Sequence, residues 1–130
     1  MESKRLTMLN GHFNTQPTYN ARTVTAPSDD DVVLVSMART AMTRSKKGPQ
    51  KDTAPEAMLA PVLKDVLVKA NNMDPKLVGE ICIGNVLQPG AGSTTSRMGQ
   101  FLAGYSHETP LIGINRLCSS GLQAVATVAN

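Results

Sequence analysis

The run Asn115-Arg116-Leu117-Cys118-Ser119-Ser120-Gly121-Leu122-Gln123-Ala124-Val125 places a cysteine where an apolar strand stops and a helix starts. Pro110-Leu111-Ile112-Gly113-Ile114 precedes it with strand character, and helical spacing is expected from Ser119 toward Ala129. A thiol at such a junction lies beside unpaired backbone N–H groups and the positive end of a helix dipole. Both favour thiolate over thiol, whose ordinary pKa is about 8.5. Ser119, Ser120 and Gly121 are small, which predicts room for a substrate to approach. Covalent catalysis by Cys118 is one reading of this run, its backbone N–H being an oxyanion donor. A buried small hydrophobe is the other, since that is what most lone cysteines are. Cys82 fits the second description well, because the alternation and apolar neighbours in Glu80-Ile81-Cys82-Ile83-Gly84 suggest a buried strand.

Outward from that junction, strands and helices alternate. Val32-Val33-Leu34-Val35 is a continuous apolar run, suited to a strand covered on both faces. Met37 to Gln50 carries charges, Gly48 and Pro49, and is expected as a loop. Thr53-Ala54-Pro55-Glu56 predicts a helix start, with Thr53 as cap and Glu56 as its capping-box partner. Leu59, Val62, Leu63, Val66, Leu67 and Ala70 follow at helical spacing, and Pro61 is expected to bend or divide that helix. Asp74-Pro75 predicts a short helical turn, Glu80–Gly84 a second strand, and Asn85 to Ser93 a loop. Ser96 to Leu102 predicts another helix before the Leu111–Ile114 strand. The alternation implies an α/β fold in which helices cover a parallel or mixed sheet.

Composition narrows the function. The 130 residues suffice for one domain with a real core; 41% are hydrophobic and 18% charged, which excludes compositional disorder. With two Phe, two Tyr and no Trp, that core is aliphatic. The formal charge of +3 owes much to Arg39, Arg44, Lys46, Lys47 and Lys51 in one polar stretch. Such a cluster is a solvated loop or an attractor for an anionic ligand such as a nucleotide-bearing thioester. No basic helix interleaved with aromatics and no zinc-ligand spacing occurs, so neither nucleic acid nor a metal is expected. Two distant cysteines make no disulfide framework, which points to a reducing compartment. No apolar run approaches the roughly 20 residues of a membrane span.

Residues 1–30 read as a flexible targeting leader ahead of a folded domain at 31–130. No acid lies between Ser3 and Ser28, a bias shared with mitochondrial transit peptides. A more specific pattern sits within it: Arg5-Leu6, five residues, then His12-Phe13. It resembles the type-two peroxisomal import signal. On a helix Arg5 and His12 share a face while Leu6, Leu9 and Phe13 line an adjoining one, so an import receptor can read both pairs.

Two further features mislead. Gly90-Ala91-Gly92 is followed by Thr95 where a dinucleotide loop needs its third glycine, so a structural turn is expected. His107 invites a role as base for Cys118, yet an extended Pro110–Ile114 at about 3.3 Å per residue separates them far beyond hydrogen-bonding reach.

Asn115 to Ala124 resembles the acyl-enzyme cysteine signature of thiolases. The likeness continues in Ala38-Arg39-Thr40-Ala41, in Lys51-Asp52-Thr53, and in Gly84-Asn85-Val86-Leu87-Gln88-Pro89-Gly90-Ala91-Gly92 with Arg97. It covers Asp31 to Asn130 and leans toward the family's peroxisomal 3-ketoacyl-CoA branch. The resemblance implies a layered α/β fold, a mixed sheet with helices on both faces, incomplete in this chain. It implies an acyltransferase of fatty-acid β-oxidation: Cys118 attacks a 3-ketoacyl-CoA, keeps the shortened acyl group as a thioester and releases acetyl-CoA, and a second coenzyme A removes the acyl group. Coenzyme A is then a substrate, with no permanently bound cofactor, and a homodimer in the peroxisome is expected. A mitochondrial acetoacetyl-CoA thiolase and a truncated, non-catalytic interaction partner are the alternatives. Leu117, Ser106-His107-Glu108 and Pro61 depart from the family pattern. The family's activating His and second Cys belong to C-terminal motifs that do not occur among these residues, so the isolated chain is expected to lack turnover.

Overall fold

The structure, a computed structural model, describes residues 28–130; the Arg5-Leu6 and His12-Phe13 pairs lie outside the described residues. Val32–Asn130 forms one unit. Its order is α1 (Pro55–Lys69), a 3₁₀ turn (Pro75–Leu77), β1 (Ile81–Gly84), a second turn (Pro89–Gly92), α2 (Ser93–Leu102), β2 (Leu111–Ile114) and α3 (Ser120–Ala129).

The two strands pair in parallel with Ile81 opposite Leu111 and Gly84 opposite Ile114. A parallel pair needs a crossover, and α2 supplies it. Side chains alternate across a sheet, which sorts the residues onto two faces. Ile81, Ile83 and Leu111 share one face and pack with Ala60, Leu63, Leu67, Ala103 and Tyr105 of α1 and the end of α2. Gly84 lies on the opposite face, where a Cβ would meet the Ser120 backbone at the head of α3 at 2.5 Å. Helices therefore cover both faces, as expected. The core is aliphatic but for Tyr105, whose buried hydroxyl donates to the Leu63 carbonyl at 2.9 Å.

Helices α1 and α2 approach closely because Gly99 has no side chain: a Cβ there would lie 3.0 Å from Leu59 Cδ2. The start of α1 differs from the capping box expected at Thr53 and Glu56. Ala54 is the N-cap and makes no side-chain bond, because Pro55 opens the helix with a preset φ and no N–H to satisfy. Pro61 does not divide α1, which runs unbroken from Pro55 to Lys69. It sits on the exposed side, where the carbonyl it leaves unbonded is open to water. The turn at Asp74 forms as its sequence implied, the side chain accepting from the Lys76 N–H at 2.9 Å. Helix α2 begins three residues before the expected Ser96, since left-handed Gly92 turns the chain straight into Ser93.

Val32–Val35 is not a strand. The segment has no regular secondary structure and is exposed, Leu34 at 79%, because neither described strand pairs with it. It is tethered to α1 just beyond, where the Ser36 hydroxyl donates to Val66 O at 2.9 Å and Lys69 Nζ to Met37 O at 3.3 Å.

Candidate active site

Cys118 is exposed in the turn between β2 and α3. Leu117 before it has φ +49°, a left-handed conformation that a leucine adopts only at an energetic cost. Two side chains bracket that residue. Asn115 Oδ1 accepts from the Leu117 N–H at 3.0 Å, and its Nδ2 donates to Val86 O at 3.2 Å. Ser120 Oγ accepts from the Arg116 N–H at 2.9 Å and donates to Leu117 O at 2.6 Å. Backbone bonds from Ser119 to Arg116 O and from Ser120 to Leu117 O then close the turn into the helix.

Ser120 corrects one expectation. At 3% exposure it is a buried staple and makes no room for a ligand, whereas Ser119 and Gly121 are exposed. Asn115 went unread in the sequence, although an asparagine two residues before a tight turn is a known device for bonding the backbone ahead of it. Gly84 went unread too, because only the packed structure shows what a Cβ would strike there.

The neighbouring Asn85–Gly92 loop fills itself. Asn85 Oδ1 accepts from the Gln88 N–H at 3.1 Å, Asn85 Nδ2 donates to Gln88 Oε1 at 3.1 Å, and the Thr95 hydroxyl lies 2.5 Å from the same Oε1. Gly90, Ala91 and Gly92 are all left-handed. Their turn is closed by the Ser93 hydroxyl donating to Gly90 O at 2.9 Å, so the loop is structural and no phosphate cradle.

His107 lies at the opposite end of β2 from Cys118, on an exposed loop. That loop is held by α2: Arg97 donates to Thr109 O at 2.5 Å and to His107 O at 2.6 Å, and Gln100 Nε2 donates to Ser106 O and Thr109 O. The strand between them keeps His107 from serving Cys118 as a base. Cys82 is half-buried in β1, and burial, then the Glu80 charge, pushes its thiol above the ordinary value. The cations from Arg39 to Lys51 stay exposed on their loop, Lys51 pairing with Asp52 at 2.6 Å. Among the described residues no cluster could hold a metal ion, and no helix is long and apolar enough to cross a membrane.

Residues 32–130 match the family model of the thiolase N-terminal domain. A peroxisomal 3-ketoacyl-CoA thiolase of Petunia hybrida is 52% identical over 106 residues, covering 81% of this chain and 23% of that protein. The peroxisomal 3-ketoacyl-CoA thiolase structure of Saccharomyces cerevisiae, described as five-layered α-β-α-β-α with two core domains of identical topology, superposes with a TM-score of 0.75 at 35% identity. That likeness covers 81% of this chain and 31% of the yeast one. A second structure of the yeast thiolase, described as dimeric, gives the same TM-score. The chain thus spans about a quarter of the length of its curated relatives. Its matched residues run through the whole of β1, α2, β2 and the Cys118 turn, and the chain belongs to the thiolase family.

Proposed function

We propose that this chain carries the nucleophile half of a peroxisomal 3-ketoacyl-CoA thiolase. The observation that carries the reading is Cys118, exposed on a strand–turn–helix junction within a matched thiolase N-terminal domain. In the reaction the Cys118 sulfur attacks the keto carbon, forming a C–S bond. The carbon–carbon bond beside it breaks, its electron pair staying on the acetyl-CoA carbon, which gains a proton. A coenzyme A thiol then gives up its proton and takes the acyl group while Cys118 leaves as thiolate, which returns the proton consumed at the acetyl-CoA carbon. Splitting a hard cleavage into two acyl transfers is the gain of covalent catalysis. The backbone N–H at the turn supplies an oxyanion donor. Coenzyme A enters as substrate, and no resident cofactor takes part.

The names of the Petunia and yeast relatives support a peroxisomal location, with residues 1–30 as leader and Arg5, Leu6, His12 and Phe13 as the receptor-binding pairs. The dimeric yeast relative supports a homodimer. Exposing the chain to a 3-ketoacyl-CoA and mapping the product tests the chemistry: an acyl group on the Cys118 peptide, and none after Cys118→Ser, is expected, with little turnover. Acylation that persists in Cys118→Ser refutes the assignment. For location, a fluorescent fusion should enter peroxisomes and lose them with Arg5→Ala and His12→Ala; import into mitochondria refutes it.

A further inference from the structure

Cys118 follows a residue that has no intrinsic reason to be where it is. Leu117 is left-handed and 70% exposed, so no packing of its own side chain holds it there. The restraint comes from either side. Asn115 grips the Leu117 N–H while its amide is anchored to Val86 O across the neighbouring loop. Ser120, buried against the Gly84 surface, grips the Leu117 carbonyl and the Arg116 N–H together. The peptide groups on both sides of Leu117 are thereby fixed by side chains anchored in different elements, β1's following loop and α3.

We infer that Asn115 and Ser120 are positioning residues: they hold Leu117 left-handed and so set the direction in which the Cys118 sulfur is presented. The inference rests on Cys118 being the nucleophile, and it adds what aims it. Neither residue touches the reacting atoms. Without the clamp, Leu117 relaxes to the right-handed or extended regions that leucine prefers, and the turn presents the sulfur only part of the time.

The test is the rate of iodoacetamide alkylation at Cys118 in the full 130-residue chain, read on the Cys118 peptide so that Cys82 does not interfere. Asn115→Ala and Ser120→Ala should each slow the rate about tenfold. Glycine has no left-handed penalty. In an Asn115→Ala/Leu117→Gly double variant the rate should therefore return to within about twofold of wild type. A merely structural loss would not be rescued by removing a side chain at an exposed position. A wild-type rate in Asn115→Ala, or a slow rate that Leu117→Gly leaves slow, overturns the inference. Should Asn115→Ala fail to fold, Leu117→Val decides: a β-branched residue is an outlier at positive φ, and the rate should fall about tenfold, whereas an unchanged rate overturns the clamp. Failure of the acyl-transfer reading shows separately, as a wild-type chain that alkylates normally yet never takes an acyl group from a 3-ketoacyl-CoA.

Discussion

Cys82 lies within β1 and Cys118 in the turn that follows β2, and the two differ in what lies over their sulfurs. Cys82 is half-covered in β1, and burial with the Glu80 charge raises its pKa, while Cys118 is exposed. In the native chain at pH 8, Cys82 is expected to alkylate more slowly than Cys118, and in denaturant the two rates should converge; equal native rates would contradict the burial argument. Tyr105 carries a second titration signature. Its buried phenol is raised above the ordinary tyrosine value by desolvation and donates to Leu63 O. A folded pKa above the unfolded one contributes stability that is complete below the unfolded value of about 10 and is lost as pH rises through the folded one. Tyr105→Phe should cost about 1 kcal/mol at neutral pH, the net worth of a typical hydrogen bond. The same variant should flatten the fall of stability above pH 10, and urea melts at pH 7 and pH 11 measure both effects.

At the scale of elements, glycines decide which surfaces meet. Gly84 lets the head of α3 lie on β1, since a Cβ there would stand 2.5 Å from Ser120 C and 2.7 Å from Gly121 N, both backbone atoms that cannot yield alone. Gly84→Ala is expected to destabilise by about 1–3 kcal/mol and to slow Cys118 alkylation together, because the same shift of α3 disturbs Ser120. A stable variant with an unchanged rate would show that α3 tolerates the displacement. Gln100 governs the other end of β2: fully buried, it donates to Ser106 O and Thr109 O, and Gln100→Leu should cost about 1–3 kcal/mol by removing both bonds, which leaves Ser106 O to the Thr109 N–H and Thr109 O to Arg97. The elements themselves were legible. The alternation in Glu80–Gly84, the apolar Leu111–Ile114 and the junction after Cys118 each specify local structure with their own residues. What escaped were properties of pairs. Thr53 loses the cap to Ala54 because Pro55 outranks it locally, Pro61 is tolerated because its side of α1 faces water, and Ser120 turns inward because Gly84 admits it. The candidate nucleophile was legible for the same local reason, while Asn115 needed Val86 from a distant loop to show its part.

For the molecule as a whole, the decisive mismatch is between an apolar sequence and a small sheet. Val32–Val35 has the continuous pattern of a strand covered on both faces, yet all four residues are largely exposed. Among the described residues β1 and β2 form a two-stranded sheet in which each keeps an unpaired edge, and such a pair is marginal by itself. On α3, Leu122, Val125 and Val128 are also exposed. The matched part of this chain covers 23% of the Petunia relative, and the yeast structure it resembles is described as five layers deep. Unpaired edges and apolar faces of this kind drive association whenever another surface can cover them. The purified chain is therefore expected to self-associate as its concentration rises and to bind an apolar dye such as ANS. Replacing Val33 and Leu34 by lysine should weaken both behaviours. The melting of α1, β1, α2 and β2 should be unchanged, because the replaced side chains lie outside the core of Ala60, Leu67, Ile81, Ala103 and Tyr105. Sedimentation velocity over a concentration series decides the matter. A chain that stays monomeric and dye-free throughout must hide these residues in a way the packing of its two strands does not provide, and the link from apolar run to unfilled layer would be broken.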